Sequence, residues 1–418
     1  MTDGTHYTPT YTNEGIKFVS VTNVTENEID FSNTKYISLE EHKKLIKRCA
    51  PKAGDILLTK IGSIGRAAVV PENFPEFSLF VSVALLQPND SIVPEYLCAY
   101  LNTQLSKKQF ERHLKGIGVP DLHLESIAQT QIIVPSLSKQ SELALNYTKA
   151  CNSRKRVLAQ AEDLLTGINN YLLERLNLSF DDKQHILFYA QKYSEIRSRI
   201  DADFYSPCFA HFRKQIEDSS YPIIQIGEIC KSISSGFAAG KQDQADGLPD
   251  NERVPQLRPF SITPYGQISF TTKKYVPINR LQEKDYCQKG EVLFNNTNSA
   301  EWVGKSMVFD IDTPCAASNH ITRITLKEGI NPYYIAAFFN ILRSIGYWKL
   351  LSTYFNNQAG VNTETLKTVR ILLPEKSIQD EIAEEILRRK NTAEALRMES
   401  EQDWEAAKAE FERKLLGE

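Results

Sequence analysis

Two sets of polar side chains stand out because they lie in short, glycine-containing stretches at matched places in the two halves of the sequence. Asn and Gln amides can pair with the edge of adenine, Arg and Lys with guanine, and Thr with phosphate or the thymine methyl group. Glycine lets a backbone approach a ligand closely. These residue types predict contacts with DNA. The candidate side chains are Thr5, His6, Thr59, Lys60, Arg66 and Lys115 in the first half, and Arg258, Asn295, Asn296, Asn298, Lys305, Asn356, Asn357 and Gln358 in the second.

Catalytic and metal-binding patterns are weak by comparison. Asn331-Pro-Tyr-Tyr334 is similar to the Asn-Pro-Pro-Tyr motif of adenine methyltransferases, but the second proline is missing, and a proline that opens a helix explains it more simply. Gly304-Lys-Ser306 lacks the earlier glycine that a phosphate-binding loop requires, because Ser299 stands there. The histidines show no spacing typical of metal ligands, and no GxSxG elbow occurs. The sequence therefore predicts neither a catalytic centre nor a metal site.

The two halves of the chain repeat each other, which explains why the polar stretches fall at matched places. Residues 132–143 align without a gap with residues 371–382. The segments 54–58, 65–70 and 94–102 have counterparts, in the same order, at 290–294, 304–309 and 332–340. A period this long indicates duplicated domains rather than a solenoid of short repeats. Two domains with one framework and different loops would read two different DNA sequences.

Composition limits the class of protein. A chain of 418 residues suggests two or three domains, and 41% hydrophobic with 24% charged residues is typical of a soluble globular protein. The net charge of −3 argues against a stand-alone DNA binder, because Lys and Arg supply much of the affinity for phosphate, but it is compatible with a subunit whose partners bring positive charge. Seven scattered cysteines without CxxC spacing, and no signal or membrane-spanning segment, predict a reducing cytoplasmic setting.

Short apolar runs separated by turn residues predict a strand-rich region in each half. Residues 94–105 are predicted to form a helix, because proline is favoured in the first turn and apolar residues follow at helical spacing. Residues 236–251 are rich in Gly, Asp and Gln and predict an exposed loop. The other predicted elements are strands at 16–20, 55–58, 67–70 and 223–229 and a helix at 209–216.

A long helix is predicted after each strand-rich region. The first, at 139–176, carries apolar residues at alternating steps of three and four, which is typical of a coiled-coil seam. The second, at 377–416, has a weaker seam because Ser400 and Asp403 interrupt it. Long, narrow seams favour an antiparallel helix pair between two globular domains over helices that pack only on their own domains. The predicted seam residues are Leu143, Tyr147, Val157, Leu164, Ile168, Tyr171, Ile382, Ile386, Leu396 and Phe411.

Taken together, several motifs give the chain a family resemblance. They are Asp3-Gly-Thr-His-Tyr-Thr-Pro9, Lys35-Tyr-Ile-Ser38, the Gly-rich stretch 54–65, and the helix starts Val134-Pro135…Gln140 and Leu373-Pro374…Gln379. With these motifs the chain resembles the DNA-specificity (S) subunits of type I restriction–modification systems. The resemblance implies an α+β fold, with two similar mixed α/β target-recognition domains joined and separated by two long helices that form an antiparallel coiled coil. Each domain would read one half of a split DNA site.

The resemblance also implies domain boundaries. The first target-recognition domain would span residues 1–137, the first spacer helix 138–178, a connector 179–200, the second target-recognition domain 201–375 and the second spacer helix 376–418. The first domain begins almost directly at Asp3-Gly4 and lacks a counterpart of the strand predicted at 223–229. Either the start of the gene is misplaced or another segment completes that sheet.

Partners and cofactors follow from the same resemblance. The chain would be non-catalytic by itself and would bind double-stranded DNA, two methyltransferase subunits and, in a system that cuts DNA, restriction–translocase subunits. The methyl donor, ATP and magnesium would bind to those partners. Two alternatives stay open: a recognition or adaptor subunit of a related anti-phage methylation system, and a self-contained adenine methyltransferase, which would need a methyl-donor pocket and a complete Asn-Pro-Pro-Tyr motif.

Overall fold

The structure is a computed structural model that describes residues 1–114, 118–180, 188–192, 194, 196 and 200–417. The backbone divides into two compact units. The first unit comprises Met1–Ala159 and Ala395–Glu418, and the second comprises Gln160–Glu394. The boundary falls inside each of two long helices, so each unit contains one strand-rich head and one part of both helices. In the described residues, no helix is long and apolar enough to cross a membrane.

The first head consists of short elements that begin at local sequence signals. The Oγ1 atom of Thr103 accepts the backbone N–H of Ser106 at 3.4 Å and starts a new helix, which splits the helix predicted at 94–105 into two. The strands are β1 Thr2–Asp3, β2 Tyr11–Thr12, β3 Ile16–Val19, β4 Val24–Thr25, β5 Glu28–Ile29, β6 Lys35–Ile37, β7 Ile56–Thr59, β8 Ala67–Val69, β9 Phe77–Leu79 and β10 Val83–Leu86. The helices are α1 Leu39–Leu45, α2 Pro94–Leu101, α3 Gln104–Arg112, α4 Leu124–Ala128 and the long helix α5 Leu137–Arg175.

Two four-stranded sheets form the core of the first head. One has the antiparallel order β1-β10-β7-β8, and the other has the order β2-β6-β3-β9 with β3 and β9 parallel. The side chains of β7 alternate between two cores: Leu57 packs with Val83 and Leu85, whereas Ile56 and Leu58 pack on the side of α2. Both faces of the strand are buried, which explains why consecutive residues in this run are apolar.

The second head repeats the main sheet of the first, in the order β12-β19-β15-β17. Smaller sheets have the orders β11-β22, β14-β13-β18 and β16-β21-β20. The strands are β11 Ile223–Gln225, β12 Cys230–Ser235, β13 Arg253–Leu257, β14 Tyr275–Pro277, β15 Val292–Asn295, β16 Thr297–Asn298, β17 Ser306–Val308, β18 Ala316–Ala317, β19 Ile321–Leu326, β20 Thr353–Phe355, β21 Gln358–Gly360 and β22 Arg370–Leu372. The helices are α6 Ala202–Tyr205, α7 Pro207–Glu217, α8 Ile226–Ile229, α9 Pro332–Ser344, α10 Tyr347–Leu351, α11 Thr363–Thr368 and the long helix α12 Lys376–Leu416.

The strand predicted at 223–229 is shorter than expected. It ends at Gln225, whose backbone N–H donates to Oε1 of Glu228 at 3.1 Å, and the next four residues form the helical turn α8. β11 pairs antiparallel with β22. In the first unit, the residues that correspond to β22, 131–133, do not form a strand, and Ile133 is 37% exposed.

A buried glutamine ties each long helix to its head in the same way. The side-chain oxygen of Gln140 accepts the backbone N–H of the residue before α2, at 2.9 Å, and that of Gln379 accepts the N–H of the residue before α9, also at 2.9 Å. Both amide groups also donate to the backbone of the proline that precedes the long helix, at 2.9 and 2.8 Å. Buried polar groups are satisfied by the same bonds in both units, so the repeat extends to individual hydrogen bonds.

A tyrosine and an asparagine repeat this correspondence. Tyr96 and Tyr334 each donate a 2.6 Å hydrogen bond to a backbone carbonyl in the segment before the long helix. Asn102 bonds both backbone groups of one residue in β8, and Asn340 does the same in β17, at distances between 2.8 and 3.1 Å. These side chains therefore stabilise the framework shared by the two heads.

The long helices run antiparallel to each other within each unit. In the first unit, the ring of Tyr147 lies 5.0 Å from that of Trp404, and Arg154 forms a 2.6 Å ion pair with Glu401. In the second unit, Arg175 pairs with Glu381 at 2.6 Å. The α+β prediction of two similar mixed heads and two long, antiparallel helices is confirmed.

The seam predicted for these helices needs one correction. Leu143, Tyr147, Ile168, Ile382, Ile386 and Phe411 are buried as predicted, whereas Val157, Leu164, Tyr171 and Leu396 are only half-buried. Leu165, not Leu164, is the buried leucine between Ala161 and Ile168. A helix of 3.6 residues per turn drifts by about 20° per heptad, so the buried stripe moves by one position along α5.

Candidate nucleic-acid interface

The second head contains a polar cleft of about 480 Å³ at the edge of its main sheet. Four stretches that are far apart in sequence line it: the end of β12, residues 296–297 after β15, residues 319–322 at the start of β19, and the hairpin β20–β21 with the residues that follow it. The cleft brings together two of the predicted DNA-contacting residues, Asn296 and Gln358. Its lining also includes Ser235, Asn319, Thr353 and Phe355.

Two glycines permit close packing next to the segments that line the cleft. A Cβ atom at Gly236, where the chain leaves β12, would lie 2.3 Å from the carbonyl oxygen of Ala317, so only glycine permits this approach. Gly304 has a φ of +91°, and a Cβ atom there would lie 2.0 Å from the Trp348 ring. The backbone N–H of Gly304 donates to the carbonyl of Asn295 at 2.9 Å and closes the loop after β15.

Asn296 is held in the wall of the cleft. Its amide nitrogen donates to the carbonyl of Asn319 at 3.1 Å and to the hydroxyl of Thr322 at 3.0 Å. Its amide oxygen accepts from the hydroxyl of Thr297 at 2.8 Å. With these three bonds the buried side chain of Asn296 orients the loop.

Asn295 and Lys305, predicted to contact DNA, are buried, and this corrects their expected role. The amide nitrogen of Asn295 donates to the carbonyl of Trp302 at 2.8 Å. The ammonium of Lys305 donates to two carbonyls, of Pro259 at 2.7 Å and Ile262 at 2.6 Å. Burial, with the nearby guanidinium of Arg343, lowers the pKa of Lys305 to about 8. Both side chains hold the loop between β15 and β17 from inside, because Asn295 ends the central strand β15 and Lys305 directly precedes β17.

Asn298 and Arg258 are half-buried and form local bonds. The side-chain oxygen of Asn298 accepts the N–H of Ser299 at 2.8 Å, and Nε of Arg258 donates to Gln256 at 3.0 Å. The structure does not place either of them in the lining of the cleft.

Asn356, Asn357 and Gln358 lie at the exposed tip of the hairpin β20–β21. Phe355 pairs with Gln358, so the turn has two residues, and both have positive φ, 42° at Asn356 and 66° at Asn357. Such turns match the twist of a hairpin and favour Asn. The hairpin therefore presents a row of amide side chains to solvent beside the cleft.

In the first head, the predicted residues separate into buried and exposed groups. The ammonium of Lys60 lies 3.6 Å from Asp3 and 3.5 Å from Asp121, with only 6% of its side chain exposed, so it is part of an internal ion-pair cluster. Thr59 is fully buried, and its hydroxyl accepts the N–H of Arg66 at 2.9 Å. Both predictions of direct contact are corrected by this burial, since the end of β7 is covered on both faces.

The remaining residues of the first head differ in exposure. Thr5 is buried, and its hydroxyl accepts the N–H of Tyr7 at 3.4 Å, whereas His6 is exposed, 3.2 Å from the carboxylate of Asp3. Arg66 is exposed, and its guanidinium makes no hydrogen bond or ion pair within the described part of the chain. Lys115 lies outside the described residues.

Sequence reasoning missed Thr353, Phe355 and Asn319 as residues of the cleft. Two consecutive asparagines between strand-forming residues are a hairpin signal that could have identified Phe355. Asn319 carries no comparable signal, because it reaches the cleft only through the tertiary position of the turn before β19.

The structure also bears on the competing chemical motifs. The side-chain oxygen of Asn331 caps α9 by accepting the N–H of Tyr333 at 2.9 Å, its nitrogen donates to Asp380 at 2.6 Å, and Tyr334 is fully buried. Asn331-Pro-Tyr-Tyr334 is therefore a helix start. Among the described residues, no group of three or more His, Cys, Asp or Glu side chains could hold a metal ion.

The sequence is similar to those of known proteins. The model of the family described as "Type I restriction modification DNA specificity domain" matches residues 6–145 and 219–395. The Type I restriction enzyme EcoBI specificity subunit of Escherichia coli is 25% identical over 158 residues, which is 38% of this chain and 33% of that subunit. The match thus spans about a third of the length of this curated relative.

Solved structures add information on the fold. A chain described under "Structural basis underlying complex assembly and conformational transition of the type I R-M system" aligns over 97% of this chain and 92% of its own length, with a TM-score of 0.53 and 13% identity. An S subunit from M. genitalium aligns over 99% and 92%, with a TM-score of 0.45 and 10% identity, a score too low to establish a shared fold by itself. Because the family model matches both halves and most of the sequence, the chain belongs to the type I restriction modification DNA specificity domain family.

Proposed function

We propose that this chain is the DNA-binding specificity subunit of a type I restriction–modification complex, that it reads a bipartite target with its two heads, and that it docks methyltransferase subunits. One observation carries the proposal. The heads share their framework down to single hydrogen bonds, as at Gln140 and Gln379, while their exposed side chains differ. An exposed arginine, Arg66, directly precedes β8 in the first head, and the second head presents an amide-bearing hairpin beside its cleft.

Different exposed chemistry on one framework supports the reading of two different half-sites. Arg66 of the first head suits guanine or a phosphate, and the Asn and Gln side chains of the second suit adenine. Helices of 39 and 41 residues extend for about 60 Å each, and a paired helix resists bending. We therefore infer that α5 and α12 set the number of unread base pairs between the half-sites.

Charge supports the dependence on partner subunits. The chain has 49 basic and 52 acidic side chains, and several basic ones in the heads are consumed by internal ion pairs, as at Lys60 and Arg323. Phosphate neutralisation dominates affinity for DNA, so partners must supply most of it. Methyltransferase subunits that clamp the DNA would do so, and they would also bring the methyl donor, whereas ATP and magnesium would belong to a translocase subunit.

The proposal is tested by producing the chain with the methyltransferase encoded beside its gene. We expect the two to co-purify, the complex to methylate one split sequence in genomic DNA, and the purified chain alone to neither methylate nor cut DNA. Methylation by the complex at a single continuous sequence would contradict the bipartite reading. Methyl transfer by the chain alone, above contaminant level, would support the self-contained methyltransferase instead. Methylation without any translocase-dependent cleavage would favour a related anti-phage methylation system.

A further inference from the structure

We propose that the hairpin β20–β21 enters the major groove as a two-stranded ribbon and reads an A·T base pair, with Gln358 on the adenine and Phe355 on the thymine methyl group. The inference rests on the proposed function and specifies one base pair of the half-site that the second head reads. The major groove, about 12 Å wide, admits a two-stranded β-ribbon. The hairpin borders the polar cleft, and residues 353–358 of the ribbon are exposed.

The pairing register decides which side chains the ribbon presents. Phe355 lies opposite Gln358, and Thr353 lies opposite Gly360, so Thr353, Phe355 and Gln358 share one face. All three line the cleft. On the other face, Ala359 is only 1% exposed, and the hydroxyl of Tyr354 donates to the carbonyl of Lys349 at 3.2 Å. The face that carries Thr353, Phe355 and Gln358, the outward face, is thus open to the cleft and to solvent.

The ribbon is held firmly at its base. β21 pairs with β16 as well as with β20, and the N–H of Val361 donates to the carbonyl of Asn296 at 2.9 Å. The left-handed turn at Asn356-Asn357 fixes the tip. A preorganised reading element loses little conformational entropy on binding, so its contacts contribute more fully to affinity.

The side chains on the outward face have the chemistry of an A·T pair. A glutamine amide can bond N6 and N7 of adenine at once, and an apolar ring can contact the C5 methyl of thymine. In the described part of the chain, the amide of Gln358 makes no hydrogen bond, and Phe355 is 68% exposed, so both are available. Adjacent cross-strand positions place the amide and the ring within the span of one base pair. A G·C pair offers neither the methyl group nor the adenine pattern.

The test uses the complex with its methyltransferase and the target found by methylation mapping. Synthetic duplexes replace each thymine of the target in turn by uracil, which removes only the methyl group. At one position in one half-site, we expect the unaltered complex to bind uracil about tenfold more weakly than thymine. The Phe355→Ala complex should bind the thymine duplex about tenfold more weakly and should not distinguish the two bases. Replacing the paired adenine by 7-deazaadenine should matter for the unaltered complex and not for Gln358→Ala.

Phe260→Ala is the matched control, because this phenylalanine is 45% exposed in the same head and does not line the cleft. It should retain full discrimination between thymine and uracil. Equal thermal unfolding of all variants should confirm that they fold. If the complex methylates a defined split target but both hairpin variants leave base preference unchanged, the inference is overturned while the proposed function stands. If the complex methylates no defined target, the proposed function fails. Relaxation at a G·C pair instead would also overturn the inference.

Discussion

At the scale of single residues, the framework shared by the two heads is marked by buried polar side chains that make the same hydrogen bonds in both units. Gln379 is 2% exposed and joins the start of α12 to the start of α9 through bonds at both ends of its amide. Its counterpart in the first unit does the same. An amide side chain suits this site, because its oxygen accepts one hydrogen bond and its nitrogen donates another.

Replacing Gln379 by Leu should lower the free energy of unfolding of the second unit by roughly 2–4 kcal/mol, since it leaves one buried N–H and one carbonyl without partners. Denaturant unfolding would measure the change. Gln402→Leu, at an exposed position of α12, is the control and should change stability by no more than about 0.5 kcal/mol. If both substitutions change the free energy of unfolding equally, the buried hydrogen bonds of Gln379 do not stabilise the fold.

Because of the buried Lys305, the free energy of unfolding should depend on pH in the alkaline range. Its pKa is lowered to about 8 by burial, so between pH 8 and about 10.4 the unfolded chain binds more protons than the folded one. The free energy of unfolding contributed by this group should therefore rise with pH across that window. Lys390, whose pKa is also lowered to about 8, contributes in the same direction.

The difference between the parent protein and Lys305→Met isolates the contribution of Lys305. Unfolding in denaturant at intervals from pH 7.5 to pH 10 should show the parent protein gaining stability relative to the variant. If the difference in free energy of unfolding between the two proteins stays constant across this range, burial does not lower the pKa of Lys305.

At the scale of elements, the buried stripe of α5 includes one of two adjacent leucines and not the other. Leu165 is 2% exposed, and its neighbour Leu164 is half-buried. Leu165→Asp should lower the thermal stability of the chain by about 3 kcal/mol or more, because a charge enters a packed interface. Leu164→Asp differs by one residue and should cost about 1 kcal/mol. Circular dichroism on heating would measure both variants. A larger loss of stability in Leu164→Asp than in Leu165→Asp would support the seam predicted from the sequence.

At the scale of the whole molecule, the proposed division of labour predicts effects confined to one half-site. Arg66→Ala should relax or weaken recognition in one half of the target, and a lost bidentate contact to guanine costs about 1–3 kcal/mol. A phosphate contact would weaken binding evenly across sequences instead. Methylation mapping of the variant complex separates these results. Relaxation in both halves at once would argue against independent heads.

The length of the paired helices should set the gap in the target. Inserting one heptad into α5 and one into α12 at facing positions adds about 10 Å to the helix pair, or roughly three base pairs of duplex. We expect the mapped target to keep both half-sites and to lengthen its unread gap. The same seven residues inserted at Gly247, in an exposed loop, should leave the gap unchanged. A gap that stays constant in the helix variant would reject the role of the helices.

Much of this organisation is determined by the sequence alone. The internal repeat, the two long helices and the absence of a catalytic motif can be read directly, because framework residues such as Gln140 and Gln379 must satisfy the same backbone groups in each copy. Apolar periodicity also located most of the seam, since a buried helix face repeats in sequence at fixed steps.

Only the tertiary structure decided which polar residues are available to a ligand. By residue type alone, Lys60, Asn295 and Lys305 could be surface residues, but all three are buried. Lys60 and Asn295 lie at the ends of central strands, and Lys305 directly precedes β17. Phe355 looks like a core residue, yet the register of its hairpin directs it outward. Burial depends on which elements cover a position. That arrangement is set by contacts between residues far apart in the chain, which local sequence patterns do not record.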